Sequence, residues 1–189
     1  MVLIRVATPD DVEGIVAVRQ ASWLAAYRGI VAPEIIERAL AQADAARLRA
    51  RFADQPWRHT LVAEPQPAPD PAAPPVPVIT GYASYGIERG VDGHPRQIRA
   101  DDNPASKPPV AELYALYVAP GHWSTGTGRA LMDRVLAEVR AEGYPRIILW
   151  VLQDNHRARR FYERAGFRRR GRAQASFLGA PEVRYAQDL

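Results

Sequence analysis

The chain contains no cysteine among its 189 residues. This absence excludes disulfides, thiolate nucleophiles and cysteine-based zinc sites. Histidine is scarce as well, and the four residues His59, His94, His122 and His156 show neither HExxH spacing nor a similar one. The sequence therefore predicts no metal site.

Long hydrophobic runs are also missing. No stretch of 18 apolar residues is present, and the first few residues are too short a segment for a signal peptide. The remaining composition, 47% hydrophobic and 24% charged, is typical of one globular domain with a full core. We expect a cytoplasmic protein with a single domain over residues 1–189 and no membrane partner.

Lysine occurs once, at Lys107, so that the net charge of +4 comes almost entirely from arginine. Eight arginines lie between Arg157 and Arg172, a density that a nucleic-acid-binding protein can also have. Few aromatic residues are interleaved with them, and those in the helical part fall on its polar face. A solvated helix face is favoured, with one or two arginines reaching cofactor phosphates, and no nucleic-acid partner is predicted.

One central stretch has a pattern that indicates chemistry. The apolar run 113–118, a glycine-containing loop at 122–130 and an amphipathic segment from Leu131 predict strand, loop and helix. Because N–H groups at a helix start are unpaired and partly positive, this loop suits a phosphate or pyrophosphate. The lysine of a P-loop is replaced by Thr127, and Leu131 replaces the third glycine of a dinucleotide fingerprint. A tight turn that only requires glycine is the alternative.

A second strand and a short helix follow. The run 147–152 is typical of a buried strand, Asn155 is a predicted N-cap, and Gly166 is expected to end the helix. Phe161 and Tyr162 lie on the apolar face of this helix.

The flanking segments predict the remaining elements. They are a strand at 2–6, a helix opened by Thr8, a helix after Pro33 with a continuation from Asp44 to about Phe52, paired strands at 60–63 and 78–87, and strands at 167–172 and 183–186. The proline-rich segment 65–77 and the polar segment 89–109 are expected to be loops inside the domain. Whether 89–109 forms a lid stays open.

Three motifs, in this order and at these separations, resemble the GCN5-related N-acetyltransferase (GNAT) superfamily. They are Glu112-Leu113-Tyr114-Ala115-Leu116-Tyr117-Val118-Ala119-Pro120, the loop Gly126-x-Gly128, and Asn155-x-Arg157-Ala158-x-x-Phe161-Tyr162-x-x-x-Gly166-Phe167. The resemblance covers residues 112–167 and, more loosely, 1–52. It implies an α+β fold, with a mixed, mostly antiparallel sheet flanked by helices and splayed between the strands at 113–118 and 147–152.

The resemblance implies transfer of an acetyl group from acetyl-CoA to a primary amine by direct attack through a tetrahedral intermediate. The residues that it assigns to acetyl-CoA binding are Tyr117, Val118, Trp123, Ser124, Thr125, Gly126, Thr127, Gly128, Arg129, Asn155 and Tyr162. The chain departs from the family pattern at two of these positions: the family commonly has Gln or Arg where Trp123 stands and Gly where Ser124 stands.

The resemblance also implies two catalytic residues. Tyr162 matches the tyrosine that protonates the departing thiolate; without the surrounding motif, a core tyrosine on an apolar helix face would be the favoured alternative. Glu112 matches a position from which many relatives draw the base for the amine proton, directly or through water. A solvated glutamate at the start of a strand, with water alone as the base, is the alternative.

The acceptor is not determined by the sequence. Trp23, Tyr27 and Arg28 lie in the segment that borders the acceptor pocket in the family and are candidates for substrate contacts, although core packing is the default explanation of two aromatic residues. The acceptor is expected to be a small-molecule amine or a peptide amine, and unpaired sheet edges are compatible with a homodimer. A non-catalytic acyl-CoA-binding or sensor module remains the alternative function.

Overall fold

The computed structural model describes residues 2–41, 45–66, 78–90, 108–176 and 178–189. In chain order its elements are β1 (Val2–Val6), α1 (Val12–Ala26), α2 (Pro33–Ala41), α3 (Ala45–Asp54), β2 (Arg58–Pro65), β3 (Gly81–Ile87), β4 (Ala111–Val118), α4 (Thr127–Ala141), β5 (Arg146–Leu152), α5 (His156–Arg164), β6 (Arg168–Ala175) and β7 (Pro181–Asp188). Three expectations fall on residues outside the described ones: the cap at Asp44, most of the loop 65–77 and most of the loop 89–109.

All seven strands form one sheet in the order β1-β2-β3-β4-β5-β7-β6. Every neighbouring pair is antiparallel except β4 and β5. These two strands pair only from Ala111 opposite Ile147 to Leu113 opposite Leu149. Beyond this point they diverge, so the predicted α+β fold and its splayed centre are confirmed.

Helices cover both faces of the sheet. On β2, the alternate residues Leu61 and Ala63 pack in the cluster that contains the apolar side of α4, whereas Val62 packs with Ile15 and Val18 of α1. Since successive strand residues point to opposite faces, α4 and α1 lie on opposite sides of the sheet. The predicted apolar side of α4 is confirmed, and its members are buried: Leu131, Met132, Val135, Leu136 and Val139.

One ion-pair network connects the first strand to the start of α1. The Arg5 guanidinium donates to both carboxylate oxygens of Asp11 at 2.7 Å and also contacts Glu64 on β2. The Thr8 N–H donates to Asp11 at 2.7 Å, and the Asp11 side chain is 1% exposed. Burial, the largest effect, raises the pKa of Asp11, but the hydrogen bonds from Arg5 and Thr8 outweigh it and hold that pKa below its usual value.

We expect Asp11→Asn to destabilise the protein by about 2 kcal/mol, because it leaves part of a half-buried guanidinium and one N–H poorly satisfied. The folded-state pKa of Asp11 lies below the unfolded one, so its contribution is complete above about pH 4 and is lost as the pH falls through the folded value. Urea unfolding of both proteins should show the difference at neutral pH and a smaller one near pH 3.

The matched control is Asp188→Asn. Asp188 pairs with Arg146 at 2.6 Å, and both side chains are more than half exposed. Such pairs contribute little, so this variant should stay within about 0.5 kcal/mol of the wild type. Equal effects of the two substitutions would contradict the assignment of Asp11 as a structural anchor.

Candidate active site

The separation of β4 from β5 opens a cavity in the described chain. It has a volume of about 1050 Å³ and is lined by residues from both faces of the sheet, including Trp23 of α1, Tyr117 of β4, Trp150 of β5 and Tyr162 of α5. The cavity therefore extends through the gap in the sheet, from the α1 face to the face that carries α4 and α5.

The main chain at the end of β4 is available to this gap. Val118 pairs with Gly81 of β3, and the N–H of the following residue, Ala119, donates to the carbonyl of Thr80 at 2.9 Å. Because hydrogen-bonded and non-hydrogen-bonded pairs alternate in an antiparallel ladder, Val118 occupies a non-hydrogen-bonded position. Its N–H and C=O thus point away from β3, toward the side from which β5 has diverged.

The carbonyl of Val118 already has two partners. It accepts a hydrogen bond from the hydroxyl of Ser22 on α1 at 2.9 Å and one from the indole N–H of Trp123 at 2.7 Å. These bonds fix the end of β4 from both sides of the cavity. Because these two hydrogen bonds involve the carbonyl, they orient the peptide group and leave the N–H of Val118 available.

The loop after β4 ends in a helix start with free donors. Ser124 has φ 65° and Gly126 has φ 93°, two left-handed residues that turn the chain into α4. The first intrahelical bond runs from the N–H of Ala130 to the carbonyl of Gly126. The three preceding N–H groups, at 127–129, therefore have no intrahelical acceptor and form a site suited to an anion.

Close backbone approach is possible at two glycines of this loop. Gly126 and Gly128 both line the cavity. A Cβ at Gly128 would meet Phe161 at 3.5 Å and Val118 at 3.6 Å, which is ordinary contact, whereas its remaining side faces the cavity. A pyrophosphate fits this loop because the donors, the positive helix end and the open glycines coincide.

Arg157 is a site residue that the motif did not identify individually. Its guanidinium lies 4.4 Å from the ring centroid of Trp123 and donates to the Ser124 hydroxyl at 3.2 Å. It lines the cavity next to the free N–H groups. The sequence predicts a solvated arginine cluster with one or two phosphate-reaching members, and the packing of α5 on the loop identifies Arg157 as a residue beside the proposed anion site.

Tyr162 lies on the apolar face of α5, as predicted. Asn155 caps this helix by accepting from the N–H of Ala158 at 3.1 Å, and Gly166 ends it with φ 97°. The Tyr162 side chain is 8% exposed, lines the cavity and packs edge-on against Phe167. Burial, and next the neighbouring Tyr117, raises its pKa, so the phenol stays protonated at neutral pH.

Two aromatic residues of α1 and its C-terminus line the cavity from the other face. Trp23 and Tyr27 are buried, at 3% and 9% exposure, and the Tyr27 hydroxyl is 3.2 Å from that of Tyr117. They belong to the core and to the cavity wall at once, so both alternatives of the sequence analysis are compatible with this position.

Most of the candidate residues meet at this cavity. Those that line it are Trp23, Tyr27, Tyr117, Val118, Trp123, Ser124, Gly126, Gly128, Arg129, Asn155 and Tyr162. The other four candidates, Arg28, Glu112, Thr125 and Thr127, are not among the lining residues. Arg28 is exposed elsewhere, and the Thr125 hydroxyl is bonded to the carbonyl of His122 and to the hydroxyl of the buried Thr127.

Glu112 has a different environment from the solvated one considered above. It is 3% exposed, and its carboxylate accepts three hydrogen bonds from Arg89: from the N–H at 2.9 Å, from Nε at 3.3 Å and from a terminal nitrogen at 2.6 Å. Arg89, not Glu112, lines the cavity. The glutamate is thus a buried ion-pair partner.

The described residues lack two other kinds of feature. No cluster of three or more His, Cys, Asp or Glu side chains suited to a metal ion is present in them. None of their helices has both the length and the apolar character that crossing a membrane requires.

Comparison with known proteins places this geometry in a family. The Acetyltransferase (GNAT) family profile matches residues 42–167. Mycothiol acetyltransferase of Beutenbergia cavernae is 50% identical over 58 residues, which are 31% of this chain and 20% of that protein. An uncharacterised N-acetyltransferase of Mycobacterium tuberculosis is 42% identical over 79 residues, 42% of this chain and 47% of that protein. The chain thus spans less than half the length of these relatives.

Solved structures of low identity show the same fold. PaiA N-acetyltransferase of Thermoplasma acidophilum, in complex with coenzyme A, aligns with a TM-score of 0.70 at 19% identity and covers 100% of this chain and 99% of its own. YncA of Salmonella typhimurium, with acetyl-CoA, aligns with a TM-score of 0.67 at 24% identity, over 100% and 94%. Together with the profile match over two thirds of the sequence, these findings establish that the chain belongs to the GNAT family of acetyltransferases.

Proposed function

We propose that this protein transfers the acetyl group of acetyl-CoA to the primary amine of a second substrate. One observation carries the proposal: a single cavity connects the free N–H groups at the start of α4, the N–H of Val118 in the gap and the protonated phenol of Tyr162. Family membership and the names of the curated relatives, mycothiol acetyltransferase and N-acetyltransferase, support the same activity.

The donor would bind along the gap. Its pyrophosphate would accept from the N–H groups at 127–129, with the guanidiniums of Arg129 and Arg157 beside it. Its pantetheine arm would lie along β4 as an added strand and pair with outward-facing main-chain groups near Val118. Trp123, Ser124 and Asn155 would complete the wall of this half.

The chemistry needs an oxyanion donor and a proton for the leaving thiolate. The amine would attack the thioester carbon, and the N–H of Val118 would stabilise the developing oxyanion. Tyr162 would then donate its proton to the thiolate sulfur. A phenol with a raised pKa is a weak acid, but the same burial raises the pKa of the thiol, so the transfer remains feasible.

The proton of the attacking amine has two candidate routes. Glu112 as the base stays a prediction, whereas its ion pair with Arg89 supports a positioning role, with water accepting the proton. We propose the positioning role, because a carboxylate that accepts three hydrogen bonds and does not line the cavity is poorly placed to reach the amine.

We also propose that residues 1–189 act as one domain, because strands from Val2 to Asp188 share one sheet.

The test combines donor binding with turnover. Calorimetry with coenzyme A should give a saturable heat, and a thiol-detecting assay with acetyl-CoA and a panel of primary amines should give release that depends on the amine. Binding without release for every amine would favour the sensor module. Absence of both would refute the proposal.

Gly128→Ala tests the phosphate site. The new methyl fits the fold, and alanine is favoured over glycine in a helix by up to about 1 kcal/mol, so stability should be kept. It would crowd the N–H groups, and we expect the dissociation constant of coenzyme A to rise about 10-fold or more. Gly121→Ala, with open space around its Cβ, is the matched control and should bind normally. Unchanged affinity of Gly128→Ala for coenzyme A would exclude the start of α4 as the phosphate site.

Tyr162→Phe tests the proton donor. We expect kcat to fall by about 10²-fold, while the dissociation constant of coenzyme A stays nearly constant. Because the pKa of Tyr162 is raised, its proton is retained, and the wild-type rate should show no fall due to this group between about pH 8 and about pH 10. Tyr144→Phe, outside the cavity, controls for the loss of a phenol. Weakened binding with normal kcat would indicate packing instead.

Glu112→Gln separates the two roles of the glutamate. As a positioning residue it should raise the KM of the amine more than it lowers kcat, which should stay within about 10-fold, and the pH profile should keep its shape. A fall of kcat by about 10²-fold, together with loss of the acidic limb of the pH–rate profile, would instead support Glu112 as the base.

A further inference from the structure

Arginines line the half of the cavity that the proposed donor does not use. They include Arg19 of α1, Arg47 and Arg51 of α3, Arg58 of β2 and Arg89 after β3. Among the described residues the lining contains one carboxylate, that of Glu182 on β7, which accepts from Gln174 at 3.0 Å. Since β7 lies beyond β5, this acid is separated from the arginines by the gap.

The arginine cluster lies on the face opposite to the glycine loop. On β2, His59 stacks on Tyr85, which belongs to the α4 face, so its neighbour Arg58 points to the α1 face. α1 covers this second face and carries Arg19. The cations are therefore not part of the helix start of α4, and a separate group of the reaction would contact them.

A bulge in β4 forms part of the cavity wall on the α1 face. Ser84 pairs with Ala115 and Tyr85 pairs with Leu113, which leaves Tyr114 as an extra residue. Bulges re-aim side chains and are common next to active sites. The guanidinium carbons of Arg58 and Arg89 lie 4.4 and 4.3 Å from the Tyr114 ring centroid, so these two cations are held close to each other.

Only one of these two cations is neutralised by a partner. Arg89 is paired with Glu112. In the described part of the chain Arg58 has no carboxylate partner: its Nε is buried without an acceptor, and one terminal nitrogen has a long contact of 3.4 Å to the Ser84 hydroxyl. Burial, and next the charges of Arg51 and Arg89, lower the pKa of Arg58 to about 10.

Arg19 and Arg51 extend the unpaired charge. The Arg19 guanidinium lies 4.6 Å from the Trp23 ring centroid, and its Nε is buried without an acceptor. The pKa of Arg51 is lowered by burial and then by the charge of Arg19. Within the described ranges neither Arg19 nor Arg51 has an ion-pair partner. Together with Arg58 they place three cations on the same part of the cavity wall.

Cations that are partly desolvated and repel one another are costly unless an anion joins them. Guanidiniums bind carboxylate and phosphate oxygens through charge-assisted, often bidentate hydrogen bonds. From this arrangement we propose that the acceptor is a small molecule that carries a carboxylate or phosphate in addition to its amine. Arg58, with Arg19 and Arg51, binds the anionic group, and the amine points through the gap toward Val118. This inference rests on the proposed acetyl transfer.

The strand between the two ends sets an upper limit on the separation of the two groups. Tyr114 and Val118 are four residues apart on β4, which corresponds to about 13 Å at most for an extended chain. The acceptor can therefore carry several bonds between its anionic group and its amine.

The experiment compares matched amines by thiol release. The carboxylate arm uses glycine, 4-aminobutyrate and 6-aminohexanoate against ethylamine, butylamine and hexylamine, and the phosphate arm uses O-phosphoethanolamine against ethanolamine. We expect kcat/KM of at least one anionic amine to exceed that of its neutral counterpart by about 10- to 100-fold, the contribution of one charged hydrogen bond. The arm with the larger ratio identifies the anionic group.

Arg58→Gln should reduce this ratio to within about 3-fold of unity, while the dissociation constant of coenzyme A stays constant. Arg58→Lys should recover part of the ratio, because it restores the charge without the planar fork. Arg140→Gln, an exposed change outside the cavity, is the matched control. If Arg58→Gln does not fold, as judged by circular dichroism and melting, Arg19→Gln replaces it.

Each outcome decides the question. Equal or faster acetylation of the neutral amines, or an unchanged ratio in the arginine variants, overturns the anionic acceptor and leaves the acetyl transfer standing. If coenzyme A binds but no amine of the series is acetylated, the readout is thermal stabilisation of the coenzyme A complex by 6-aminohexanoate or O-phosphoethanolamine. Stabilisation that is lost in Arg58→Gln supports the inference. Absence of this stabilisation in the wild type overturns it. Failure to bind coenzyme A refutes the proposed function instead.

Discussion

The divergence of two parallel strands determines the rest of this structure. β4 and β5 share three residue pairs and then separate, which leaves main-chain groups at the end of β4 without a neighbouring strand. A sheet interior normally satisfies such groups, and unpaired ones are costly when they are buried. The resulting space offers a substrate the main-chain partners that a continuous sheet would have used itself.

The two halves of the cavity use different sources of positive charge. On the α4 face the charge comes from free N–H groups of a helix start and from Arg157, whereas on the α1 face it comes from arginine side chains of several elements. Between them lies a neutral zone of buried tyrosines, where Tyr27 contacts Tyr117. Two negatively charged substrates could thus be held at opposite ends while the reacting carbonyl and amine meet in surroundings of low charge, where directed N–H dipoles are most effective.

The sequence predicts the local features of this site better than the long-range ones. Asn155 as a cap and Tyr162 on an apolar face follow from helical periodicity, and the order of elements follows from the alternation of apolar runs and turn residues. The burial of Glu112 against Arg89 could not be predicted, because the partner is 23 residues away, in a segment without periodicity. The arginine cluster was missed for the same reason: its members, such as Arg58, lie on separate elements and meet only through sheet register and helix packing.

The carbonyl of Val118 joins the two halves mechanically. A single oxygen accepts from Ser22, which belongs to the helix on one face, and from Trp123, which belongs to the loop on the other. Since each bond fixes the direction of the same peptide group, a displacement of the loop changes the geometry that the helix experiences, and the reverse. One peptide group at the end of β4 therefore connects the walls of the cavity on the two faces of the sheet.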